Sequence, residues 1–516
     1  MMINNSIQVF IDATETFDEP QHDLARHVNN MHKWRDELRM DIQNKFIQPI
    51  GLLPESPIAQ HISELNAQLL QQLESWDAKL DALKPAQSLA NSFDDKVMLL
   101  IFGKFNAGKS SLCNVLADCF RKKQQMVQYF FLNAGEIIYS TEPLKEGATE
   151  TTSRLQGVSL GKKLILLDTP GLHSVTPENA VLTQQFIDSA DGVLWLSSSS
   201  SPGQVKELEA LGYELHRHKP LLPVITRSDY FEEDEIDGEI CQILCNKTSS
   251  QRSVQEVDVQ TRASSKLTEM DINPALLHSP ISISAQMLKQ ANLNDEAMES
   301  TGFNRLFEAL FHLIQPASMY KQRKPAEILL HHLQEQVLKP LLTDGINQLN
   351  LLQLQLTEAT TLLPLQKEKI LTQTWRKIIP TLPALIEKFI AQQAVNELCT
   401  ILIQQSELEL FQQISLNLKE YQIQVFPLER LKLSKYKNYN LIYSIDNKNI
   451  LSIDHEQLYN EILQKLLQLL SQYIDNIILY CQDSLIQIQE KISTIYQCFK
   501  FYEIDLQRIA KDIRGL

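Results

Sequence analysis

Residues 103–111 are Gly103-Lys104-Phe105-Asn106-Ala107-Gly108-Lys109-Ser110-Ser111, and they match the pattern G-x-x-x-x-G-K-[ST] without a mismatch. The apolar run Val97–Phe102 before them predicts a buried strand. The spacing of Leu112, Val115 and Leu116 after them predicts a helix. A strand, a glycine-rich loop and a helix in this order direct backbone N–H groups and a helix N-terminus at a phosphate. The stretch therefore predicts a nucleoside triphosphate site.

Two side chains of this loop have expected chemical roles. Lys109 is expected to reach the β- and γ-phosphates, and the Ser110 hydroxyl is expected to bind Mg²⁺. The other loop residues expected to surround the phosphates are Gly103, Asn106, Ala107, Gly108 and Ser111.

The composition describes a globular chain too long for one core. Its 516 residues predict two or three compact units. The formal net charge of -15 argues against nucleic-acid binding, because that function needs a basic face. The 7 cysteines lack the paired C-x-x-C spacing of a zinc site. The start is not signal-like, and no apolar run approaches the ~18 residues of a membrane span, so we expect a cytoplasmic protein.

Hydrophobic periodicity divides the chain into three parts. Residues 1–92 contain two amphipathic helices whose apolar stripes need further helices to cover them. Residues 93–316 alternate apolar strands with helix-length segments, which predicts an α/β domain with a mostly parallel sheet and helices on both faces. Residues 317–516 return to long helices, which predicts an elongated all-α bundle built from both chain ends. The predicted strands are Val97–Phe102, Leu164–Leu167, Val193–Leu196, Leu221–Thr226 and Ile281–Ile283.

Two features interrupt the C-terminal helical pattern. Prolines are expected to break or kink its helices. Residues 426–453 contain two β-prone runs, Leu441–Ile445 and Ile450–Ile453, around an Asx-rich turn, which predicts a β-hairpin at the tip of the bundle. The prolines concerned are Pro340, Pro364, Pro380 and Pro383.

A second nucleotide-site element, Asp168-Thr169-Pro170-Gly171, follows the predicted strand Leu164–Leu167. An Asp at the end of a buried strand can hold Mg²⁺ through water. The Gly171 N–H can meet the γ-phosphate, so this loop is expected to respond to hydrolysis.

A third element, Thr226-Arg227-Ser228-Asp229, predicts guanine as the base. Asp229 can accept hydrogen bonds from guanine N1 and the 2-amino group, a donor pair that adenine lacks. Arg227 stands where Lys is usual, and its guanidinium can also lie across a purine. In the segment Ser282-Ile283-Ser284-Ala285, Ser284 is expected at the base and the Ala285 N–H is expected to contact guanine O6.

The residues for hydrolysis are less clearly marked. Thr152, or alternatively Thr151, is expected to close over Mg²⁺ and the γ-phosphate. Leu172 stands where many small GTPases have a water-orienting Gln, and His173 is a weaker candidate for a general base. Asn106 either coordinates K⁺, which would supply the charge of an arginine finger, or only caps the loop.

A short acidic run lies beyond the guanine element. The run Glu232-Glu233-Asp234-Glu235 predicts the start of a helix, since acidic side chains favour helix N-termini. The same interpretation places Cys241 and Cys245 on a helix.

The motifs and their order resemble the dynamin superfamily, and within it the bacterial dynamin-like proteins of the LeoA group. The resemblance covers the helices before the GTPase domain, the phosphate loop, the loops at Asp168 and Asp229, and the long helices that follow. It implies a GTP-hydrolysing protein that self-associates through its GTPase domains and couples turnover to the movement of a helical neck and stalk. It also implies a role in membrane remodelling or secretion, with a second dynamin-like or accessory protein as a possible partner. Eukaryotic dynamins have a Gln at the position of Phe105, so their catalytic mechanism does not transfer directly.

The segment 426–453 is the candidate membrane contact of this family architecture. Arg430, Lys432, Lys435 and Lys437 lie beside Tyr436, Tyr439 and Tyr443, and basic residues beside aromatics suit an anionic lipid surface. A solvated loop followed by a buried hairpin is the alternative.

Two other functions compete with the dynamin-like one. A regulatory GTPase of the Era or ribosome-associated type shares the Asn-Ala-Gly-Lys-Ser-Ser loop but normally has a basic RNA-binding module. A low-turnover nucleotide-binding scaffold is compatible with the missing Gln residues.

Overall fold

The computed structural model describes fourteen segments of the chain. They are residues 6–15, 24–81, 93, 95–104, 106–133, 136–146, 155–168, 189–200, 205–236, 239–391, 394–433, 440–445, 448–453 and 455–515.

Contacts between Cα atoms divide the chain into two compact units. The first, here the sheet unit, comprises Met1–Lys33, Asp77–Gln334 and Leu506–Leu516. The second, here the helical unit, comprises Trp34–Trp76 and Glu335–Asp505. The boundaries predicted at residues 92 and 316 remain a proposal.

An eight-stranded sheet forms the centre of the sheet unit. Its strands are β1 (Val97–Gly103), β2 (Val127–Asn133), β3 (Glu136–Ser140), β4 (Gln156–Leu160), β5 (Leu164–Asp168), β6 (Gly192–Ser198), β7 (Leu221–Thr226) and β10 (Ile281–Ser282). Their order across the sheet is β10-β7-β6-β1-β5-β4-β2-β3. The five strands from β10 to β5 are parallel, and β4, β2 and β3 continue the sheet in antiparallel pairing.

Helices cover both faces of this sheet. The helices that lie wholly in the sheet unit are α1 (Ser6–Glu15), α4 (Lys109–Lys122), α5 (Glu207–Ala210), α6 (Gly212–His216), α7 (Ser249–Glu269), α8 (Ala285–Gln290), α9 (Asp295–Ser300) and α10 (Phe303–His332). Two helices, α2 (Leu24–Asn44) and α3 (Pro57–Asp81), lie partly in each unit. Alternate residues of β1 enter two separate cores, as strand geometry requires. Leu99 and Ile101 pack with α1, α4 and α10, whereas Met98 and Leu100 pack with α5, α6 and α7.

The N-terminal helix α1 is part of the first core. Its Phe10 ring lies 6.2 Å from the ring of Phe120 in α4 and 5.7 Å from that of Phe307 in α10. Glu15 at its end accepts a hydrogen bond from the Lys162 backbone N–H at 2.9 Å. The packing of α1 on the sheet was not part of the sequence prediction.

The helical unit joins helices from both chain ends. Trp34 of α2 packs edge-on against Tyr502, with ring centroids 5.6 Å apart, and the Tyr502 hydroxyl donates to Asp41 at 3.2 Å. Helix α2 therefore packs against a C-terminal helix, as the sequence predicts, and His61 of α3 hydrogen-bonds Gln355 of another C-terminal helix at 2.9 Å. These C-terminal helices are α11 (Ile346–Ile378), α12 (Leu382–Ala391), α13 (Val395–Asn417) and α14 (His455–Arg514).

The prolines of this region act differently from one another. Two π-helical segments, Leu333–Leu338 and Leu341–Gly345, lie on either side of Pro340, and a 3₁₀ segment, Ile379–Thr381, contains Pro380. Helix α11, in contrast, continues through Pro364. Pro364 therefore does not break its helix, and a kink there stays a prediction.

Two hairpins lie outside the main sheet. Strands β11 (Asn440–Ile445) and β12 (Lys448–Ile453) pair antiparallel where the sequence predicts a hairpin. Strands β8 (Asp229–Ile236) and β9 (Glu239–Asn246) form the other. The acidic run 232–235 therefore lies in a strand and not at a helix start, and Cys241 and Cys245 lie in β9. Both helix predictions there are wrong.

The predicted α/β P-loop domain with an additional all-α region is confirmed. Within the described segments, we find no helix with the combined length and apolar character that crossing a membrane requires.

Candidate nucleotide-binding site

A pocket of about 560 Å³ opens at the carboxyl ends of β1, β5, β7 and β10. Loops at the carboxyl ends of parallel strands are where open α/β sheets bind ligands. The predicted site residues that line it are Asn106, Gly108, Lys109, Ser110, Ser111, Asp168, Thr226, Arg227, Asp229 and Ala285.

The phosphate loop needs glycine at both of its ends. A Cβ on Gly103 would lie 2.4 Å from the Leu196 carbonyl oxygen, so no side chain fits where β1 passes β6. Gly108 has φ 84°, in the left-handed region, directly before α4. Asn106 also has a positive φ of 62°, which Asn tolerates better than most residues, and its side chain is exposed at the pocket.

Lys109 is held over this loop. Its Nζ donates to the Gly103 and Lys104 carbonyl oxygens, both at 2.9 Å. Burial lowers the pKa of Lys109 from its ordinary value, and the negative charge of Asp168 opposes that shift. The ammonium group thus lies beside the backbone that would surround a phosphate.

Ser110 and Asp168 meet at the phosphate end of the pocket. The Ser110 hydroxyl donates to Asp168 Oδ2 at 2.5 Å, and the Gln156 amide donates to the same oxygen at 2.8 Å. Burial raises the pKa of Asp168, and hydrogen bonds from Ser110 and Gln156 oppose this. Asp168 Oδ1 is buried and accepts no hydrogen bond from the described part of the chain. An orphan carboxylate oxygen beside a serine hydroxyl fits a hydrated Mg²⁺.

The base end of the pocket is assembled from separate loops. Thr226 Oγ1 donates to the Ala107 carbonyl at 2.8 Å, which ties this end to the phosphate loop. Arg227 is exposed with φ 54°, and its carbonyl accepts a hydrogen bond from the Ser199 hydroxyl. Asp229 accepts a hydrogen bond from the Ser284 hydroxyl, which fixes its carboxylate. Ser284 also caps α8 by accepting from the Met287 N–H at 3.2 Å.

Several predicted residues cannot be placed in this geometry. Thr151, Thr152 and Gly171 lie outside the described residues. The same holds for the residues considered for hydrolysis other than Asn106, which are Phe105, Leu172 and His173.

The sequence does not predict three residues that lie at this pocket, namely Gln156, Glu146 and Phe231. Gln156 contacts Asp168 across the β4–β5 pair, and the sequence predicts no strand at 156–160. Phe231 lines the base end and is 62% exposed, and the β8–β9 hairpin that holds it was predicted as a helix.

Glu146 is anchored to the helix that follows the phosphate loop. It accepts hydrogen bonds from Asn114 at 2.7 Å and Lys289 at 2.8 Å. Burial alone would raise the pKa of Glu146, but these hydrogen bonds outweigh it and hold the pKa below its ordinary value. The Asn114 side chain also bonds the backbone of Leu144 in both directions. The segment 144–146 is therefore fixed beside the pocket.

A family model described as 50S ribosome-binding GTPase matches residues 98–227. This range runs from β1 through the phosphate loop and Asp168 to Arg227. A GTPase domain of this kind implies binding of GTP and GDP.

Other proteins are similar to this chain over its whole length or over about half of it. The chain is 43% identical over 514 residues to an uncharacterized protein of Acinetobacter baylyi, covering 100% of both chains. It is 23% identical over 302 residues to dynamin-like protein 2 of Campylobacter jejuni, covering 49% of this chain and 48% of that protein. The solved structure of LeoA, a bacterial dynamin GTPase from ETEC, aligns with 99% of this chain and 97% of its own at 12% identity, with a TM-score of 0.29.

The full-length identity shows that this chain and the Acinetobacter baylyi protein belong to one family. The GTPase domain matched at residues 98–227 and the similarity to dynamin-like protein 2 agree with the resemblance to bacterial dynamin-like GTPases. The resemblance seen in the sequence is confirmed at this level.

Proposed function

We propose that the chain binds GTP with Mg²⁺ and hydrolyses it to GDP and phosphate. The observation that best supports this is one pocket with Lys109, Ser110 and Asp168 at one end and Asp229 at the other. The first three suit a triphosphate and its metal ion, and Asp229 suits a guanine. A single GTP molecule would satisfy both ends.

The phosphate end supplies charge and metal ligands in this proposal. Lys109 contacts the β- and γ-phosphates, Ser110 binds Mg²⁺, and Asp168 holds the ion through water. Thr152 closes over the ion and the γ-phosphate, and the Gly171 N–H meets the same phosphate. Bound Mg²⁺ neutralises charge that develops on the phosphate oxygens during transfer.

The base end supplies specificity. Asp229 accepts from guanine N1 and the 2-amino group, the Ala285 N–H meets O6, and Arg227 lies across the ring. The hydrogen bond from Ser284 holds Asp229 ready for this contact before nucleotide arrives.

Asn106 is proposed as a K⁺ ligand beside the phosphates. Its side chain is exposed at the pocket, in a loop position fixed by a positive φ. A monovalent cation there would stabilise charge near the bridging oxygen, as an arginine finger does.

We further propose that the chain self-associates through its GTPase domains and couples GTP turnover to movement of the helical regions, in membrane remodelling or in secretion. The similarity to dynamin-like protein 2 supports this, as does the composition of segment 426–453. Within that segment, Phe426, Arg430 and Lys432 are exposed, whereas Lys435, Tyr436, Lys437 and Tyr439 lie outside the described residues. A second dynamin-like or accessory protein is a proposed partner, and a peripheral membrane location follows from the same proposal.

A ribosome-associated regulatory GTPase is the second candidate. The description of the matching family model, 50S ribosome-binding GTPase, favours it. The net charge of -15 disfavours it, because ribosome binding requires contact with a polyanion. A scaffold that binds GTP with little turnover is a third candidate.

Phosphate release from GTP distinguishes these candidates when it is measured in KCl and in NaCl, with anionic liposomes, with ribosomes, or with neither. Faster turnover on liposomes, with co-sedimentation of the protein, supports the dynamin-like function. Stimulation by ribosomes alone supports the regulatory one, and tight GTP binding without turnover supports the scaffold. The Lys109→Ala variant gives the background rate. If the wild-type chain binds no guanine nucleotide, the proposal is wrong.

A further inference from the structure

Gln156 faces the carboxylate of Asp168 from the neighbouring strand. It begins β4, and the antiparallel register pairs it directly with Asp168 at the end of β5. Directly opposed residues of an antiparallel pair project to the same side of the sheet. The Gln156 amide nitrogen lies 2.8 Å from Asp168 Oδ2 and 3.4 Å from Ser110 Oγ.

The identity of the donor follows from electrostatics. Asp168 Oδ2 already accepts from the Ser110 hydroxyl at 2.5 Å. If the Gln156 amide were turned round, its oxygen would face a carboxylate oxygen, and two acceptors repel each other. The amide therefore donates through Nε2.

The two oxygens of Asp168 consequently have different environments. Oδ2 receives two donated hydrogens, from Ser110 and Gln156, whereas Oδ1 is buried without a hydrogen bond from the described residues. Rotation of the carboxylate out of this orientation would break the two hydrogen bonds that Oδ2 accepts. Such a rotation is costly at a position that is only 2% exposed.

We propose that Gln156 is a positioning residue for the Mg²⁺ ion of the nucleotide site. It acts through Asp168 and Ser110, by holding Oδ2 so that Oδ1 remains directed at the hydrated ion. Ser110 can continue to donate its hydrogen to Asp168 while its lone pairs bind the cation. Gln156 itself is neutral, so it orients the carboxylate without competing for its charge. This inference rests on the proposed function as an Mg²⁺-dependent GTP-binding protein.

Release of a fluorescent GDP analogue at buffered free Mg²⁺ concentrations tests this role. In the wild type, Mg²⁺ is expected to slow release. In Gln156→Ala, the Mg²⁺ concentration that gives half of this effect should rise by about tenfold or more, in the range typical of residues that orient metal ligands. The release rate in EDTA should stay at the wild-type value, because Gln156 does not touch the nucleotide.

Two further variants separate positioning from general loss of structure. Gln156→Leu keeps the bulk of the side chain without the amide and should behave like Gln156→Ala. Gln128→Ala removes an exposed glutamine from the adjacent strand β2 and should leave the Mg²⁺ dependence unchanged. A shift only with the two Gln156 variants supports the proposal.

Other outcomes overturn it. The proposal fails if both Gln156 variants keep the wild-type Mg²⁺ dependence, or if they speed release equally in EDTA and in Mg²⁺. Wild-type protein that does not bind the GDP analogue would instead contradict the proposed function itself, before any variant is compared.

Discussion

The two ends of the nucleotide pocket are built in different ways. At the phosphate end, Lys109 and Ser110 lie in the first turn of α4, directly after the phosphate loop, and a single further strand contributes Asp168. At the base end, Thr226 at the end of β7 and Asp229 at the start of β8 come from one segment, Ser284 comes from a distant one before α8, and the β8–β9 hairpin also contributes Phe231. The phosphate end depends on backbone geometry, whereas the base end depends on contacts between distant segments.

This difference predicts different failures. Substitutions at the phosphate end should weaken the binding of every phosphorylated nucleotide and leave the preference for a base unchanged. Changes at the base end should alter which base is bound. The comparison is wrong if both classes of variant have the same effect.

Replacement of Lys109 should have the largest effect. Lys109→Ala removes an ammonium that would bond two phosphate groups, and charge-assisted bonds of about 1.5–3 kcal/mol each imply a loss of about a hundredfold or more in GTP affinity. Titration calorimetry with GTP and ATP measures both the affinity and the base preference.

The neighbouring Lys104 offers a matched control. Its side chain pairs with Glu207 at 3.7 Å and is 59% exposed. Lys104→Ala should therefore keep GTP binding. An equal loss in both variants would assign the Lys109 effect to the loop backbone.

The Asp229→Asn variant should change which base the site prefers. An Asn side chain cannot accept both guanine hydrogens, but it can accept from N1 and donate to the 2-oxygen of xanthine. We expect the affinity for GDP to fall by about a hundredfold and the affinity for XDP to rise. The reason is that a site built for a hydrogen-bonding group strongly rejects a ligand that leaves this group unpaired. Competition between GDP and XDP for a fluorescent nucleotide measures the switch.

The exposed strand residue Asp234 provides the control on the same hairpin. Asp234→Asn makes the same chemical change outside the pocket and should leave the preference for GDP intact. A preference for GDP that survives in Asp229→Asn would show that the base is recognised elsewhere.

Loss of Phe231 should have a moderate effect at the base end. Phe231 lies two positions after Asp229 in β8, so both project to the same face of the hairpin. Stacking of a base on an aromatic ring contributes about 1–3 kcal/mol to binding, so Phe231→Ala should lower the affinity for GDP by about tenfold. Pyrophosphate binding should stay unchanged, which calorimetry can verify.

Tyr230 is the matched control for Phe231, because it projects to the opposite face and is 39% exposed. Tyr230→Ala should leave GDP affinity unaltered. If it weakens GDP as much as Phe231→Ala, the effect comes from the hairpin and not from stacking.

The same contrast explains how much of the structure the sequence predicts. The parallel strands and the phosphate loop follow from local apolar runs and a contiguous motif. The sequence does not predict Gln156, because its function depends on strand pairing with Asp168, twelve positions away. Neither segment alone determines the register of that pairing.

The two hairpins show the limit of local patterns. In β11–β12, β-prone residues surround a turn, and the sequence identifies the hairpin. In β8, Glu232, Glu233, Asp234 and Glu235 are all exposed, so neither face has the apolar alternation that marks a half-buried strand. Local charge then favours a helix start, and tertiary context decides otherwise.

Exchange of K⁺ for Na⁺ should have the smallest effect, and it probes the phosphate end without any mutation. If Asn106 coordinates K⁺ beside the phosphates, hydrolysis should slow severalfold in NaCl while GDP affinity stays constant, because the added charge matters mainly in the transition state. Asn106→Ser should remove the difference between the two salts. Equal rates of wild-type hydrolysis in KCl and NaCl would leave Asn106 as a loop residue whose role is the positive φ of 62°.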